Sequence, residues 1–287
     1  MSYDVWRSLH DGNFESDKYL YHYTNFDSAI KIIHSECFRF STITKTNDTT
    51  ESKLKISYDG VCDASDDIHE TMSKFLENNI KLVRFLSFST DVPIDYTDPA
   101  LQQFLGEDQD NRRKYRDVSG RGFALPRMWA QYATNNGGVC FIVNKNNLEA
   151  KINEEVYCKH STVNYKRFFE TYKVSKEYLS EFSKKTKNAG AIAFEKMIQN
   201  DETFCKYSFF TKSIDWKGEH EYRYITVVDK IDKDVYVKGL FDYLEGIIVG
   251  ENIDSAYKKV IQSLLKGDPQ VMSIVFDSTG STLREIT

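Results

Sequence analysis

The sequence predicts an α+β fold in one domain, built on a mixed, mostly antiparallel sheet with flanking helices. Two observations carry this prediction. Strand-like and helix-like segments are intermixed without the regular alternation that builds a doubly wound parallel sheet. The chain has 287 residues, within the reach of one hydrophobic core, and neither a repeat nor a low-complexity linker divides it. We therefore expect residues 1–287 to form a single domain.

The first elements follow from the spacing of apolar residues. The segment YLYHYT at residues 19–24 has the aromatic bias of a strand, which places Leu20, His22 and Thr24 on one face. Apolar residues at helical spacing then predict a helix over 26–33, capped by Thr24 or the asparagine after it.

The same two periodicities predict the later elements. They are a strand at 37–43, a helix at 68–80, a strand at 83–90, a short helix from Pro126 to Tyr132, and strands at 138–144, 221–228, 246–250 and 271–276, with a helix at 256–265 before the last. A long polar, helix-prone stretch around 171–212 is predicted to be a helical insertion on the sheet.

Composition limits the class of protein. A net charge of −5 argues against a protein that coats nucleic acid, because such binding needs many phosphate contacts. The apolar runs are short and the N-terminus lacks a secretion signal, so we expect no membrane association. Five widely spaced cysteines favour a reducing cytoplasm. A buried Cys158 beside a polar His160 is favoured over a zinc site, and no metal is predicted.

A basic patch lies between residues 111 and 127. Six cations stand there against one acid, Asp117. Such a patch can hold phosphates, and a solvated loop explains it equally well. Its cations are Arg112, Arg113, Lys114, Arg116, Arg121 and Arg127.

Five segments along the chain resemble a known family. The segments are LYHYTNFDSAIKII, the turn TNDTTE, FLSFST, MWAQYATNNGGVCFIV and KSIDWKGEHEYRYI. In this order they resemble the bacterial domain-of-unknown-function family 2971. The turn departs from the family pattern, since Thr49 and Thr50 stand where the family tends to have Pro-Phe, so a tight proline turn is not expected there.

The order of elements also resembles a distant ADP-ribosyltransferase fold, including toxins of the His-Tyr-Glu type, and this implies a split sheet. In that fold a first-strand histidine holds the adenosine side of NAD, an aromatic residue stacks near the nicotinamide, and a late-strand glutamate binds the nicotinamide ribose. The resemblance assigns these roles to His22, to Tyr23 or Tyr58, and to Glu221 or Glu219.

The chemistry of the implied reaction requires such a carboxylate. Cleavage of the bond to nicotinamide builds positive charge on the ribose, and a fixed carboxylate stabilises it. On a strand, Glu219 and Glu221 would share one face, with Glu221 at the ribose and Glu219 activating an acceptor. The plain structural alternative is a surface carboxylate paired with Arg223.

Other residues complete the predicted site. Thr24, Asn47, Ser87 and Ser89 are predicted to contact NAD, although sheet and turn hydrogen bonds also explain them. Trp129 and Tyr132 are predicted to be core residues. The acceptor would contact Arg112, Arg113, Arg121, Arg127 and Trp216, the last in a target-recognition loop at 211–218.

The leading prediction is therefore an NAD-dependent ADP-ribosyltransferase, a toxin or phage-defence effector that modifies RNA or DNA and is neutralised by an antitoxin protein. Two alternatives stay open. One is a non-enzymatic module that binds a nucleotide or signalling ligand in the same cleft. The other is a metal-dependent nuclease with Asp48, Glu51, Glu219 and Glu221 as oxygen ligands.

Overall fold

Two central strands, β1 (Tyr19–Thr24) and β5 (Val83–Ser89), organise the molecule in the computed structural model. The structure describes residues 16–51, 53–54, 56–57, 66–92, 97, 99, 102–103, 118, 120–174, 190–265, 271–277 and 280–285. In this part of the chain the other strands are β2 (Cys37–Arg39), β3 (Ser41–Thr42), β4 (Ile56–Ser57), β6 (Val139–Asn144), β7 (Lys159–Thr162), β8 (Asn164–Lys166), β9 (Tyr172–Lys173), β10 (Thr211–Ser213), β11 (Glu221–Val227), β12 (Tyr236–Lys238), β13 (Leu244–Val249), β14 (Val271–Asp277) and β15 (Gly280–Glu285).

Eight α-helices are described. They are α1 (Phe26–Ser35), α2 (Asp66–Asn79), α3 (Pro126–Gln131), α4 (Lys145–Glu155), α5 (Gly190–Asn200), α6 (Glu202–Phe209), α7 (Leu240–Tyr243) and α8 (Ser255–Leu264). Asn25 caps α1, its side chain accepting the N–H of Ser28 at 2.8 Å. A 3-10 helix, Ile214–Glu219, leads into β11.

The main sheet is mixed but almost wholly antiparallel. Its described strands run in the order β15-β14-β13-β6-β1-β5-β11-β7, with β3 paired to β5 off this path. Among these described pairs only β13 and β14 are parallel. Helices pack on both faces, and the predicted α+β class is confirmed.

The sheet is split between β1 and β5. These antiparallel strands share one bridged pair, Tyr21 with Ser89. On its other side each strand is paired along its length, β1 with β6 and β5 with β11. The two halves of the sheet therefore separate beyond Tyr21, along the residues of β1 that follow it.

One face of the sheet carries the largest core. Leu20, Phe88, Phe141 and Tyr222 point to this face and pack against helices α1, α4, α7 and α8. Burial of so many aromatic and branched side chains is the main stabilising contribution to the fold. His22 lies on the same face, since it pairs with Phe141 across the sheet.

The opposite face is apolar at its two ends and polar in the middle. Tyr21 and Ile142 belong to one cluster, with Trp129 of α3. Val83 and Ile225 belong to another, with α2, α5 and α6. Between them the strand positions on this face are Ser87, Ser89, Glu221 and Arg223. An apolar core interrupted by buried polar residues identifies this strip as a place to look for a site.

The strand predicted at 37–43 is two strands in the structure, because the chain changes partner at Phe40: β2 pairs with β12, and β3 pairs with β5. The stretch 171–212, predicted to be a helical insertion, contains α5 and α6, and Phe194 and Phe204 of these helices are fully buried in the core. Residues 175–189 of this stretch lie outside the described residues. In the part of the chain described, no helix is long and apolar enough to cross a membrane.

Candidate functional site

A pocket of about 830 Å³ opens where β1 and β5 separate. Tyr21, Ser89 and Glu221 are in register across β1, β5 and β11. In a continuous sheet His22 would therefore point to the other face from Glu221. Because the strands part, both side chains line the pocket. The pocket wall contains both predicted catalytic residues, Glu219 and Glu221. The predicted NAD contacts found there are His22, Tyr23, Thr24, Asn47, Ser87 and Ser89.

His22 is fixed by the strand across the gap. Its Nδ1 lies 3.1 Å from the carbonyl oxygen of Ser87. A carbonyl only accepts, so Nδ1 carries the proton and Nε2 is left as an acceptor. The ring also packs edge-on against Phe38 and Phe88, at centroid distances of 4.9 and 5.5 Å. Burial lowers the pKa of His22 despite the Ser87 bond, so the ring is neutral at pH 7.

Glu221 begins β11 and is held by hydrogen bonds on both carboxylate oxygens. Its Oε1 accepts from the hydroxyl of Ser87 and from Nε of Arg223 at 2.7 Å. Its Oε2 accepts from Nη2 of Arg223 at 2.9 Å and from Nζ of Lys212 at 3.0 Å. Burial raises the pKa of Glu221, but the two cations outweigh it and the pKa is about 2. Glu221 is therefore an ionised carboxylate with a fixed orientation.

The prediction that Glu219 and Glu221 lie on one face of the same strand was wrong. Glu219 ends the 3-10 helix, and His220, with φ of 46°, turns the chain before β11 begins. The two carboxylates nevertheless meet, because Nζ of Lys212 lies 2.7 Å from Oε2 of Glu219 as well. The other oxygen of Glu219 accepts from the hydroxyl of Tyr132. A buried lysine and not strand alternation brings the two acids together.

Lys212, Arg223 and Glu51 complete a buried ionic cluster with Glu219 and Glu221. Each of the five is at most 5% exposed. Arg223 donates to Glu51 through Nη2, and Nζ of Lys212 lies 3.8 Å from Oε2 of Glu51. Burial lowers the pKa of Lys212, but Glu221 and Glu51 raise it more, so the ammonium stays charged. Three acids against two bases leave the cluster one charge negative. The alternative of a surface pair between Glu221 and Arg223 is corrected to a buried pair.

Tyr132 packs against the core cluster that contains Trp129, but it is only partly buried and also lines the pocket. It follows α3 as its C-cap and donates to Glu219. Burial, followed by the charge of Glu219, raises the pKa of Tyr132. Trp129 is a core residue as predicted, fully buried with its indole N–H on the carbonyl of Phe123 at 2.8 Å. The spacing of these two residues gave no signal that the second lies beyond the last helical turn.

The other residues predicted to contact NAD differ in their surroundings. The hydroxyl of Tyr23 donates to the carbonyl of Gly122 at 2.6 Å, which ties β1 to the segment before α3. Ser89 is buried, and its hydroxyl has no hydrogen-bond partner among the described residues. Asn47 is exposed at the pocket wall, and Asp48 forms the expected turn by accepting the N–H of Thr50 at 2.8 Å. Tyr58 lies outside the described residues.

The predicted acceptor contacts are only partly described. Arg112 and Arg113 lie outside the described residues. Arg121 forms an ion pair with Asp91 at 3.2 Å and is not among the pocket-lining residues. Arg127 donates to the carbonyl of Asp215 and lies 5.5 Å from the ring centroid of Trp216.

The segment 211–218 is β10 followed by the 3-10 helix and not an irregular loop. Trp216 also lies 5.2 Å below Nζ of Lys212. A residue predicted to contact the acceptor thus packs directly on the ionic cluster.

Comparison with known proteins supports one resemblance over part of the chain. Residues 128–224 match the model of the family described as Protein of unknown function (DUF2971). The match includes Tyr132, Lys212, Glu219 and Glu221 but not His22. No curated protein and no solved structure matches the chain significantly. Resemblance to ADP-ribosyltransferases stays a prediction.

Proposed function

We propose that the protein is an NAD-dependent ADP-ribosyltransferase that modifies a nucleic acid, RNA or DNA. The observation that carries the proposal is the convergence of His22 and Glu221 on one pocket at the split of the sheet. Ser87 joins them, since its carbonyl accepts from His22 and its hydroxyl donates to Glu221. The resemblance implies that His22 binds the adenosine side of NAD and that Glu221 binds the nicotinamide ribose of the same molecule.

The state of Glu221 suits the chemistry. Departure of nicotinamide leaves positive charge on the ribose, and an ionised carboxylate beside it lowers the barrier. Arg223 and Lys212 keep Glu221 ionised and fix its orientation, so no reorganisation is needed during the reaction. His22, neutral with Nε2 as acceptor, can take a hydrogen bond from an adenosine hydroxyl.

The pocket fits a dinucleotide in size and charge. Its volume of about 830 Å³ lies in the range of ligand pockets, roughly 300–1,000 Å³. Lys31, Arg39 and Lys45 are exposed and line it, so the mouth is positive and can attract a diphosphate. Buried aromatic side chains, such as Phe38 and Phe88, form part of its wall.

The nucleic-acid acceptor rests on different residues. Arg127 and Trp216 form a cation–π pair beside the ionic cluster, and arginine and aromatic side chains bind phosphates and bases. The basic sequence at 111–127 adds positive charge. By the resemblance, the enzyme acts in the cytoplasm as a toxin or phage-defence effector, and a neutralising antitoxin protein protects its own cell.

Release of nicotinamide from NAD tests the proposal. Purified protein is incubated with NAD alone and with RNA, DNA or cell lysate, and Glu221→Gln is compared with the wild type. We expect turnover in the wild type and a loss of about 100-fold or more in the variant, the usual effect of removing a group that stabilises developing charge. Glu77→Gln is the matched control, since Glu77 is exposed on α2 and does not line the pocket.

The identity of the acceptor follows from the same assay. Transfer of labelled ADP-ribose to RNA or DNA supports the nucleic-acid acceptor, and transfer to protein alone contradicts it. Trp216→Ala should spare cleavage of NAD and impair transfer. Equal loss of both activities would remove Trp216 from acceptor recognition.

A second candidate, a module that binds a nucleotide without turnover, is favoured by one observation. Both oxygens of Glu221 already accept hydrogen bonds from protein groups. In that case His22→Ala would weaken NAD binding, Glu221→Gln would leave it unchanged, and nicotinamide would not be released by any form of the protein.

The nuclease alternative meets a physical obstacle in the same cluster. A divalent cation shared by Glu219 and Glu221 would need the position that the ammonium of Lys212 holds, 2.7 and 3.0 Å from their oxygens. Within the described residues no three His, Cys, Asp or Glu side chains are placed to share a metal ion. The cluster is built around a fixed protein cation.

A further inference from the structure

Glu51 differs from the other two acids of the cluster in having an unused oxygen. It follows the turn at Asp48, lines the pocket and is 4% exposed. Its Oε1 accepts from Arg223, whereas its Oε2 has no hydrogen-bond partner among the described residues. Nζ of Lys212 lies 3.8 Å from Oε2, beyond hydrogen-bond distance.

Each oxygen of the other two acids already accepts at least one hydrogen bond. Glu221 accepts from Ser87, Arg223 and Lys212, and Glu219 accepts from Lys212 and Tyr132. Glu219, the predicted acceptor-activating residue, therefore has no oxygen without a partner. In the described part of the cluster, Oε2 of Glu51 is the carboxylate oxygen left to take a proton from a bound molecule.

The surroundings of Glu51 shift its pKa in the direction that this role needs. Burial raises the pKa of Glu51, and the charge of Glu221 raises it further, against the opposing effects of Arg223 and Lys212. A general base works best when its pKa lies near the working pH. Glu51 and Glu221 share Arg223 but have pKa values moved in opposite directions, a pattern that separates proton transfer from charge stabilisation.

We propose that Glu51 is a catalytic residue, the general base that takes the proton of the acceptor. This inference rests on the proposed function. The bond between ribose C1′ and nicotinamide breaks, and its electron pair leaves with nicotinamide. A lone pair of the acceptor, an O–H or N–H group, forms the new bond to C1′. The proton of that group passes to Oε2 of Glu51, while Glu221 stays ionised beside the ribose.

Two small acceptors separate this role from a structural one. Water must lose a proton when it attacks C1′, whereas the azide ion has none to lose. Nicotinamide release is measured with each acceptor for the wild type, Glu51→Gln, Glu221→Gln and the control Glu77→Gln. We expect Glu51→Gln to slow hydrolysis by about 100-fold to 10,000-fold, the range of general base catalysis, and to leave the azide reaction unchanged. Glu221→Gln should slow both.

The outcomes are distinct. Equal slowing of both reactions by Glu51→Gln would overturn the inference and leave the proposed function in place. No nicotinamide release by the wild type with either acceptor would overturn the proposed function and this inference with it. If Glu51→Gln does not fold, the wild-type pH profile decides. The rate of hydrolysis should then decrease as the pH is lowered through the raised pKa of Glu51, because protonated Glu51 cannot take a proton. The rate of the azide reaction should stay constant over the pH range in which azide is ionised.

Protonation of His22 would change the pH profiles of both reactions equally, because His22 is assigned to the binding of NAD, which both reactions use. The charged groups that act on the pKa of Glu51 are Arg223 and Lys212, which stay protonated, and Glu221, which stays ionised. A hydrolysis profile that parallels the azide profile would overturn the role of Glu51.

Discussion

Replacing Lys212 with methionine should strongly destabilise the fold. Lys212 is 5% exposed and lies within 4 Å of three carboxylates, those of Glu51, Glu219 and Glu221. Methionine fills similar space without the charge, so the cluster would change from one to two negative charges. Removing one partner of a buried ion pair costs about 3–5 kcal/mol, because the remaining charge is left uncompensated.

The structure places a limit on this loss. Arg223 still pairs with Glu221 and Glu51, and Tyr132 still donates to Glu219, so the value should fall within that range and not above it. The loss should shrink as the pH falls, because protonation of a carboxylate removes the excess charge. Glu51 is the first to protonate, since its pKa is raised.

Urea unfolding followed by tryptophan fluorescence measures the loss of stability. The comparison is valid if the slope of the unfolding free energy against urea concentration is the same in wild type and variant. Lys74→Met is the control, because Lys74 pairs with Glu70 on the exposed surface of α2 and should have little effect. Adding Glu219→Gln to Lys212→Met should restore part of the lost stability. A loss below about 1 kcal/mol for Lys212→Met, as in an exposed pair, would show that the ammonium of Lys212 does not stabilise the buried carboxylates.

Three further predictions each concern one substitution. The pKa of Glu51 is raised in the folded state, so the stability that this group contributes is complete below the ordinary glutamate pKa and is lost as the pH rises through the higher folded value. Glu51→Gln should therefore raise the unfolding temperature at pH 7, and a lower unfolding temperature would contradict this. Tyr132→Phe leaves an oxygen of Glu219 unsatisfied and should cost about 1–3 kcal/mol by urea unfolding, and no change would mean that water replaces the hydroxyl. Gly138→Ala places a Cβ 2.4 Å from the carbonyl oxygen of Thr24 and should cost about 1–3 kcal/mol, whereas an unchanged urea midpoint would show that the backbone yields easily.

Much of the fold could be predicted from local pattern. The strand at 19–24, the cap at Asn25 and the strand that ends at Val227 depend on alternation, capping chemistry and β-branched residues within a few positions. Helix α4 was missed because its apolar positions are sparse and its start is marked mainly by Asn144, which accepts the N–H of Asn147 at 3.2 Å. Strand β15 is polar and depends on pairing with β14.

The candidate site could be predicted only where one strand carries it. His22 and Glu221 stand in recognisable strands, and the resemblance to ADP-ribosyltransferases assigned them their roles. Lys212 was not predicted, and Glu51 entered only as a metal ligand of the nuclease alternative, because a buried charge is identified by partners that come from distant parts of the chain. Lys212 reaches the cluster through the pairing of β10 with β8, and that pairing is parallel and long-range.

The error at Glu219 has the same origin. Two residues that are two positions apart share one face only if both lie in the same strand. The left-handed backbone of His220 separates Glu219 from β11, which begins at Glu221. Non-glycine residues with positive φ are uncommon, and histidine is among those found there more often, so sequence alone did not mark the break.

The role of Glu221 is tested by the effect of Glu221→Gln on binding and on turnover. NAD binding is titrated by calorimetry, and nicotinamide release is measured in the same preparations. We predict that the variant binds NAD with nearly the wild-type Kd while turnover falls by about 100-fold or more, because the carboxylate acts mainly as charge develops on the ribose. Equal loss of binding and turnover, or wild-type turnover in the variant, would contradict this role.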